Sequence, residues 1–494
     1  MGILSLLLWM PALGALAVAM LGKRHEAFIR PLSLAVSILV LLLSVLLAIR
    51  FDTSATGVQF AESLLLNPTL GSAYALGVDG LSLPMIVLAS LLCAVSVMTS
   101  GSITDSIKGY FVCVLLLEFG MLGVFMAQDW ALFYIYWEVT LIPLYFLIDR
   151  WGGKRRHAAS LNFVLYTMGG SIFMLVSLLA LSHFNLESDG TLMTSIGEAA
   201  QGMTSLQQVL VLLGFLIGFG VKMPIFPLHG WLPLAHVEAP SPISILLSGI
   251  LLKMGAYGLI RVVVILPEAT ALLQPVLVSL ALFGMLYGAL LAWRQTDLKA
   301  MVAYSSVSHM SMVLLGLATL NVAGISGAIL QMTAHGLIAG ALFLLVGLLY
   351  ERTGSRDLRD QPGLGAAMPR FTLLMSLTLL AAMGLPGSAS FISELHTVVG
   401  GFQRWGGWMA VFTLTMLVGA AYALRTLGQL FSAPVATSSR EGMADLDRSE
   451  FLASGVLVLL ILVCGLFPSV LLELSATTIS GINLEIVSRL APGQ

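Results

Sequence analysis

The sequence predicts an all-α integral membrane protein of about fourteen transmembrane helices, with two inverted five-helix repeats and two broken helices. Three observations predict it. Of 494 residues, 58% are hydrophobic and only 10% are charged, against about a quarter charged in soluble domains. Apolar runs long enough to cross a hydrocarbon core of about 30 Å recur along the whole chain. The basic residues between those runs fall almost wholly on alternate loops. A net charge of -2 with no basic block gives no electrostatic footprint for nucleic acid, so DNA and RNA are excluded as partners.

The first span, residues 2–21, has no positive charge before it and is followed by Lys23, Arg24 and Arg30. That is the order of an uncleaved helix with its N-terminus outside, not of a signal peptide. Gly2 resembles a myristoylation start, but Leu6 stands where Ser or Thr is needed. The later spans are 32–50, 81–100, 110–128, 130–149, 159–182, 206–237, 242–266, 271–293, 299–320, 323–350, 370–402, 408–431 and 450–473. Alternating sides from an outside N-terminus puts Lys23, Arg24 and Arg30, then Arg150, Lys154, Arg155 and Arg156, then Arg294 and Lys299, then Arg352, Arg356 and Arg359 inside. The opposite loops carry Asp52, Glu62, Asp129, Glu187, Asp189, Glu198 and Glu268, with Arg404 and Arg489 the exceptions. An even number of spans returns the C-terminus outside. The longest polar linkers, 51–80, 183–205 and 432–449, leave no room for a soluble domain. Cys93, Cys113 and Cys464 sit in apolar runs without C-x-x-C spacing and read as packing residues, which supports neither iron–sulfur ligation nor a disulfide.

Residues 206–237 would form a single helix of about 48 Å, so this segment must tilt steeply or break. Pro224 and Pro227 each remove a backbone donor and place the break beside Lys222. The span 370–402 repeats the arrangement with Gly384, Pro386 and Gly387, and Glu394 lies one to two turns beyond. The breaks fall in the seventh and twelfth helices. An odd separation makes helices 4–8 and 9–13 cross in opposite senses, an inverted pair with its working sites near mid-membrane. The organisation is therefore a three-helix segment at 1–109, a first repeat at 110–266, a second repeat at 267–431, and a C-terminal helix and tail at 432–494.

Counting at 1.5 Å per residue puts Glu138 roughly 12 Å, His309 roughly 15 Å, Lys253 roughly 17 Å and His335 roughly 18 Å into their spans. Two of the chain's six lysines, Lys222 and Lys253, lie within spans. A charge at the bilayer centre costs about 3 kcal/mol, so such residues are functional candidates by default. Desolvation favours a neutral lysine and a nearby carboxylate favours a charged one, so a lysine with a movable carboxylate partner is a proton switch. Glu138 is the natural partner of Lys222. Lys253 takes the next step and a histidine the one after. Plainer readings stand beside these: a buried structural ion pair for Glu138 and Lys222, a carbonyl-bonded His335, and a helix cap for Glu394. Glu118 and Arg425 are also deep, and His229 and His236 in the proline-rich loop shape an inner entrance.

The stretches YIYWEVTLIPLYFLIDRWGG (134–153), GVKMPIFPLHGWLPLAHVEAPSP (220–242), ILLKMGAYGLIR (250–261), LKAMVAYSSVSHMSMVLLG (298–316), QMTAHGLIAGALFLLVGLLYERT (331–353) and FISEL (391–395) resemble the antiporter-like subunit of respiratory complex I, of the subunit M or chain 4 type. GVDGLSL (77–83) and WGGKRRHAASLNFVLYTMGGS (151–171) lean toward the cyanobacterial and plastid form. The resemblance implies Glu138 and Lys222 as a coupled pair, Lys253 as a bridging lysine, His309 and His335 as carriers, and Glu394 as the terminal carboxylate. Relatives usually read W-L-P-D-A-H, where this chain has Leu234, which puts an acid at the inner entrance in doubt. It implies proton translocation by a non-redox subunit of a quinone oxidoreductase in a bacterial inner or thylakoid membrane. The partners would be other membrane-arm subunits, sister antiporter-like subunits among them, together with lipid and protons. No flavin, nicotinamide or quinone motif stands in the chain, so quinone, iron–sulfur clusters and flavin fall to partner subunits. A subunit of a multi-subunit sodium/proton antiporter is the alternative, and a membrane scaffold held by its charges is the third reading.

Overall fold

The computed structural model describes residues 2–67, 71–184, 191–193, 199–360, 363–432 and 443–490, so Glu187, Asp189 and Glu198 lie outside the described residues. In chain order the helices are α1 Ile3–Met20, α2 Ile29–Arg50, α3 Ser82–Met98, α4 Ile107–Met126, α5 Trp130–Val139, α6 Leu141–Trp151, α7 Arg156–Phe184, α8 Ser205–Lys222, α9 Leu232–Glu238, α10 Ser241–Leu246, α11 Leu252–Ile265, α12 Pro267–Arg294, α13 Leu298–Ala318, α14 Val322–Thr353, α15 Leu364–Ala367, α16 Pro369–Ala382, α17 Ala389–Trp405, α18 Ala410–Leu427, α19 Arg448–Leu466 and α20 Ser469–Leu490. Among the described residues thirteen helices are long and apolar enough to cross a membrane. That number includes α20, omits the shorter α3 and merges α17 with α18. With α20 set aside and the other two resolved, the fourteen expected spans are present.

Polar residues start these helices where their orphan amides need partners. Asp129 accepts from the Leu132 amide at 3.0 Å, Asp297 from Ala300 at 3.1 Å and Asn321 from Gly324 at 2.8 Å. Thr204 with Gln207, and Asp447 with Glu450, form capping boxes. The span Ser241–Ile265 and the window within α14 are wholly buried, whereas α2, α7 and α12 expose Leu42, Leu179 and Phe283. The central helices are thus walled off by a ring whose apolar side chains face outward, as lipid requires.

The span 130–149 is present as Trp130–Trp151, interrupted at Thr140 between α5 and α6, because Pro143 cannot donate to the carbonyl one turn before it. The structure corrects two readings. The linker 51–80 is not merely polar. It forms an antiparallel hairpin, β1 Gln59–Asn67 with β2 Ser72–Val78, in which Leu65 stands opposite Ala73. The last span stops before Pro468, and α20 follows it as a separate helix. α20 runs across one end of the bundle: its Thr477 hydroxyl reaches the Thr53 carbonyl at 2.9 Å, its Thr478 hydroxyl accepts from Gly80 at 3.0 Å, and Arg489 reaches the Ile265 carbonyl at 3.3 Å.

The basic loops gather at the opposite end. Arg155 pairs with Glu238 at 3.4 Å, Arg356 with Asp297 at 3.4 Å, and Arg352 with Glu450. The two exceptions to the charge pattern are also tied down: Arg404 donates to Gln274 Oε1 at 3.1 Å and Arg489 to Glu485 at 2.7 Å.

Candidate mid-membrane proton path

The expected break in the seventh helix is present. α8 ends at Lys222, and the chain unwinds until α9 begins at Leu232. The Trp231 indole donates to the Val221 carbonyl at 2.8 Å, satisfying a group the break leaves open. Lys222 is 1% exposed. Its Nζ donates to Thr140 Oγ1 at 3.0 Å and lies 4.5 Å from the centre of the Trp137 ring. Glu138 sits between those two partners in sequence and acts on Lys222 through space, yet the two form no ion pair, and Glu138 Oε1 has no hydrogen-bond partner among the described residues. The kink at Thr140 is what aims this hydroxyl at the lysine.

Lys253 is fully buried just after a π-helical turn, Leu247–Leu251. Such a turn widens the hydrogen-bond ladder and frees a carbonyl, a feature common at working sites. Within this turn the Ser248 carbonyl accepts from Lys253 Nζ at 2.6 Å. The same Nζ lies 2.6 Å from His335 Nδ1. A Cβ at Gly255 would meet the Phe219 carbonyl at 2.6 Å and the Met223 amide at 2.9 Å, so only glycine lets α11 press against the break that carries Lys222.

From His335 the next polar group is His309, reached by ring contact and not by a hydrogen bond, since His335 Nε2 has no hydrogen-bond partner among the described residues. The His335 ring centre is 5.5 Å from that of His309, whose Nδ1 lies 3.2 Å from Gln331 Nε2. Gln331 Oε1 in turn accepts from the Ser393 hydroxyl, next to Glu394. The second broken helix is also as expected: α16 stops at Ala382 and α17 starts at Ala389. Gly384 there has φ +78°, and a Cβ on it would meet Glu394 Oε2 at 2.1 Å, so the carboxylate lies against the unwound turn. Glu394 is 5% exposed, and its Oε2 has no hydrogen-bond partner among the described residues. His309 and Glu394 share the wall of a cavity of about 30 Å³ that Ser308, Thr415 and Tyr422 also line. That volume holds one or two waters, and the wall offers them polar partners. Glu394→Gln keeps the shape but carries no proton, so coupled turnover of the assembled complex is expected to fall about tenfold or more. A Glu394→Gln complex that assembles and pumps at the parent rate would reduce Glu394 to a cap.

Other candidates stand apart. Glu118 is fully buried in α4, accepting from Ser37 of α2 at 3.1 Å, away from the line of lysines and histidines. Arg425 does not reach mid-membrane. It binds the Trp293 carbonyl and, at 3.1 Å, the Gln295 carbonyl, closing the last turn of α12 at the basic end. His229 packs between Phe226 and Tyr287. His236 stacks on Phe343 at 4.6 Å, fully buried with both ring nitrogens unpartnered, within electrostatic reach of Lys253 and Lys299. Leu234 is packed, and Glu238, one turn on, accepts from the Arg155 amide at 2.9 Å. Sequence reasoning passed over Thr140, Ser248, Gln331 and Ser393. It also placed Lys299 in a loop, whereas Lys299 is 3% exposed and donates to the Ala239 carbonyl at 2.7 Å. A Gln one turn before a buried His is the signal that could have found Gln331.

A helical membrane bundle with two broken helices and a buried Lys/His/carboxylate sequence between them defines an antiporter-like protein. The family profile described as NADH:quinone oxidoreductase/Mrp antiporter, transmembrane, matches residues 127–419, and the chain belongs to that family. It is 37% identical to the NAD(P)H-quinone oxidoreductase chain 4 1 of Picosynechococcus sp., covering 97% of this chain and 90% of that one. It is likewise 37% identical to the NADH-ubiquinone oxidoreductase chain 4 of Arabidopsis thaliana, over 97% of this chain and 96% of that one. Among solved structures it is similar to a chain of respiratory complex I from Thermus thermophilus with bound NADH. The TM-score is 0.89 and the identity 30%, over 98% of this chain and 99% of that one.

Proposed function

We propose that this chain is a proton-translocating, non-redox membrane-arm subunit of a multi-subunit quinone oxidoreductase, coupling quinone reduction by its partners to proton movement through the mid-membrane sequence of Glu138, Lys222, Lys253, His335, His309 and Glu394. One observation carries the reading: Lys253 bridges the Ser248 carbonyl and His335, whose ring lies 5.5 Å from that of His309, and His309 shares a cavity wall with Glu394. Groups that gain and lose protons stand where a bilayer would otherwise exclude them. The division into inverted repeats at 110–266 and 267–431 accords with the two breaks, each placing a lysine or a carboxylate beside unwound backbone. The gathered basic loops accord with an orientation in which both termini face the non-cytoplasmic side of a bacterial inner or thylakoid membrane. Quinone, iron–sulfur and flavin chemistry falls to partner subunits. The names of the relatives favour this over a sodium/proton antiporter subunit, and purification tests it: redox subunits should accompany the chain, whereas a stable complex without redox centres would overturn the assignment.

The geometry bears on relay against scaffold as well. A pair that merely held the bundle together would be in contact, and Glu138 and Lys222 are not. Replacing both, with Glu138→Gln and Lys222→Met, removes two charges without leaving one unpaired, so assembly on a native gel is expected to match or exceed that of either single variant. Transport by the double variant is expected to stay as low as in the worse single one. Recovery of transport together with assembly would show that protons take another route.

A further inference from the structure

Two turns beyond Lys253 on α11 lies a positive charge that the path above does not use. Lys253, Tyr257 and Arg261 recur at a spacing of four and so stack along one side of the helix, with Arg261 about 12 Å nearer the end covered by the hairpin and α20. Arg261 Nη1 donates to Asp79 Oδ2 at 2.6 Å and Nη2 to the Tyr257 hydroxyl at 3.0 Å. The guanidinium carbon is 4.8 Å from the centre of the Tyr257 ring. Tyr257 is fully buried, and its hydroxyl reaches on to the Phe125 carbonyl at 3.4 Å. Asp79 is itself held in place, its Oδ1 accepting from the amides of Leu81 at 3.2 Å and Ser82 at 2.9 Å. Burial alone would raise its carboxyl, but the Arg261 guanidinium and these donors hold it below the ordinary carboxylate value. α20 closes over the pair: a Cβ on Gly80 would meet the Leu474 carbonyl at 2.1 Å.

We propose that the Arg261–Asp79 pair, seated under α20, is a charge barrier that closes this end of the mid-membrane path to protons at Lys253. Arginine does not deprotonate in proteins, so the barrier cannot be crossed by passing a proton through it. A cation leaving Lys253 in this direction meets a permanent positive charge in a medium of low dielectric. Asp79 orients the guanidinium and offsets its desolvation. Both are positioning residues, and the proposal rests on the path reading through Lys253.

The test uses the intact complex in proteoliposomes, with passive proton uptake followed by a pH-sensitive dye under a potassium–valinomycin potential and no redox drive. Asp79→Leu combined with Arg261→Met removes both charges together, and the leak is expected to rise about tenfold. Arg261→Lys keeps a charge that can be given up, so it should leak more than the parent. Adding Lys253→Met to the double variant should return the leak to the parent level. Should the double variant not assemble, Asp79→Asn combined with Arg261→Gln, which is also charge-free, is read the same way. An assembled charge-free variant as tight as the parent overturns the barrier, and so does a leak indifferent to Lys253. Failure of the path reading shows separately, as undiminished redox-driven pumping by Lys253→Met alone.

Discussion

Lys222→Ala is expected to abolish redox-driven proton translocation by the assembled complex, and Lys222→Arg is expected not to restore it. The native ammonium is 1% exposed at the last residue of α8, with the Thr140 hydroxyl at 3.0 Å and the Trp137 ring as its neighbours. Among the described residues no carboxylate is bonded to it, so gaining and releasing a proton requires no ion pair to be broken. Alanine removes the titrating group. Arginine keeps the charge and can still donate to Thr140, but its guanidinium cannot give the proton up. A step that needs a proton carrier should slow about a hundredfold or more in both variants. Dye quenching in vesicles driven by quinone reduction measures it, with a native gel establishing assembly on the same preparations. Near-parent pumping by Lys222→Arg would sink the switch, because a permanent charge would then suffice.

Lys253→Met should produce a loss of similar size for a different reason. Lys253 joins the two halves, with one nitrogen 2.6 Å from both the Ser248 carbonyl and His335 Nδ1. At that separation one proton can rest on the lysine or on the histidine with little movement of either. Methionine matches the length of the side chain and leaves behind only a carbonyl and an imidazole, so no unpaired charge remains and assembly should persist. Pumping is expected to fall about a hundredfold, the worth of a positioned acid–base group. Pumping at the parent rate by an assembled Lys253→Met complex would show that the two halves carry protons independently.

Much of this was legible in the residues alone. A bilayer punishes every unpaired backbone group and every buried charge, so span length, loop charge and the rare deep Lys, His and Glu report directly on architecture and candidate function. Proline carries its meaning with it, which is why the breaks beside Lys222 and Glu394 were readable in advance. Pro143 and Pro468 follow the same rule and were passed over, hidden in or just after runs whose hydropathy read as single spans. The hairpin gave little signal because it lies across an end of the bundle, and the start of α20, although apolar, was read as the end of the span before Pro468.

What the sequence by itself determined is the class of protein: the bundle, its broken helices and the residues that could hold a proton. Only the tertiary structure decided which of them meet. It set Arg425 aside at the basic end and Glu118 against Ser37, and it joined Lys253 to His335 and His309 through Gln331 to Ser393. The reason is physical. Depth along a helix follows from counting residues at a fixed rise, whereas contact across helices depends on rotation and close approach. Here those were set by a π-turn before Lys253 and by Gly255, whose missing side chain lets α11 lie against the break.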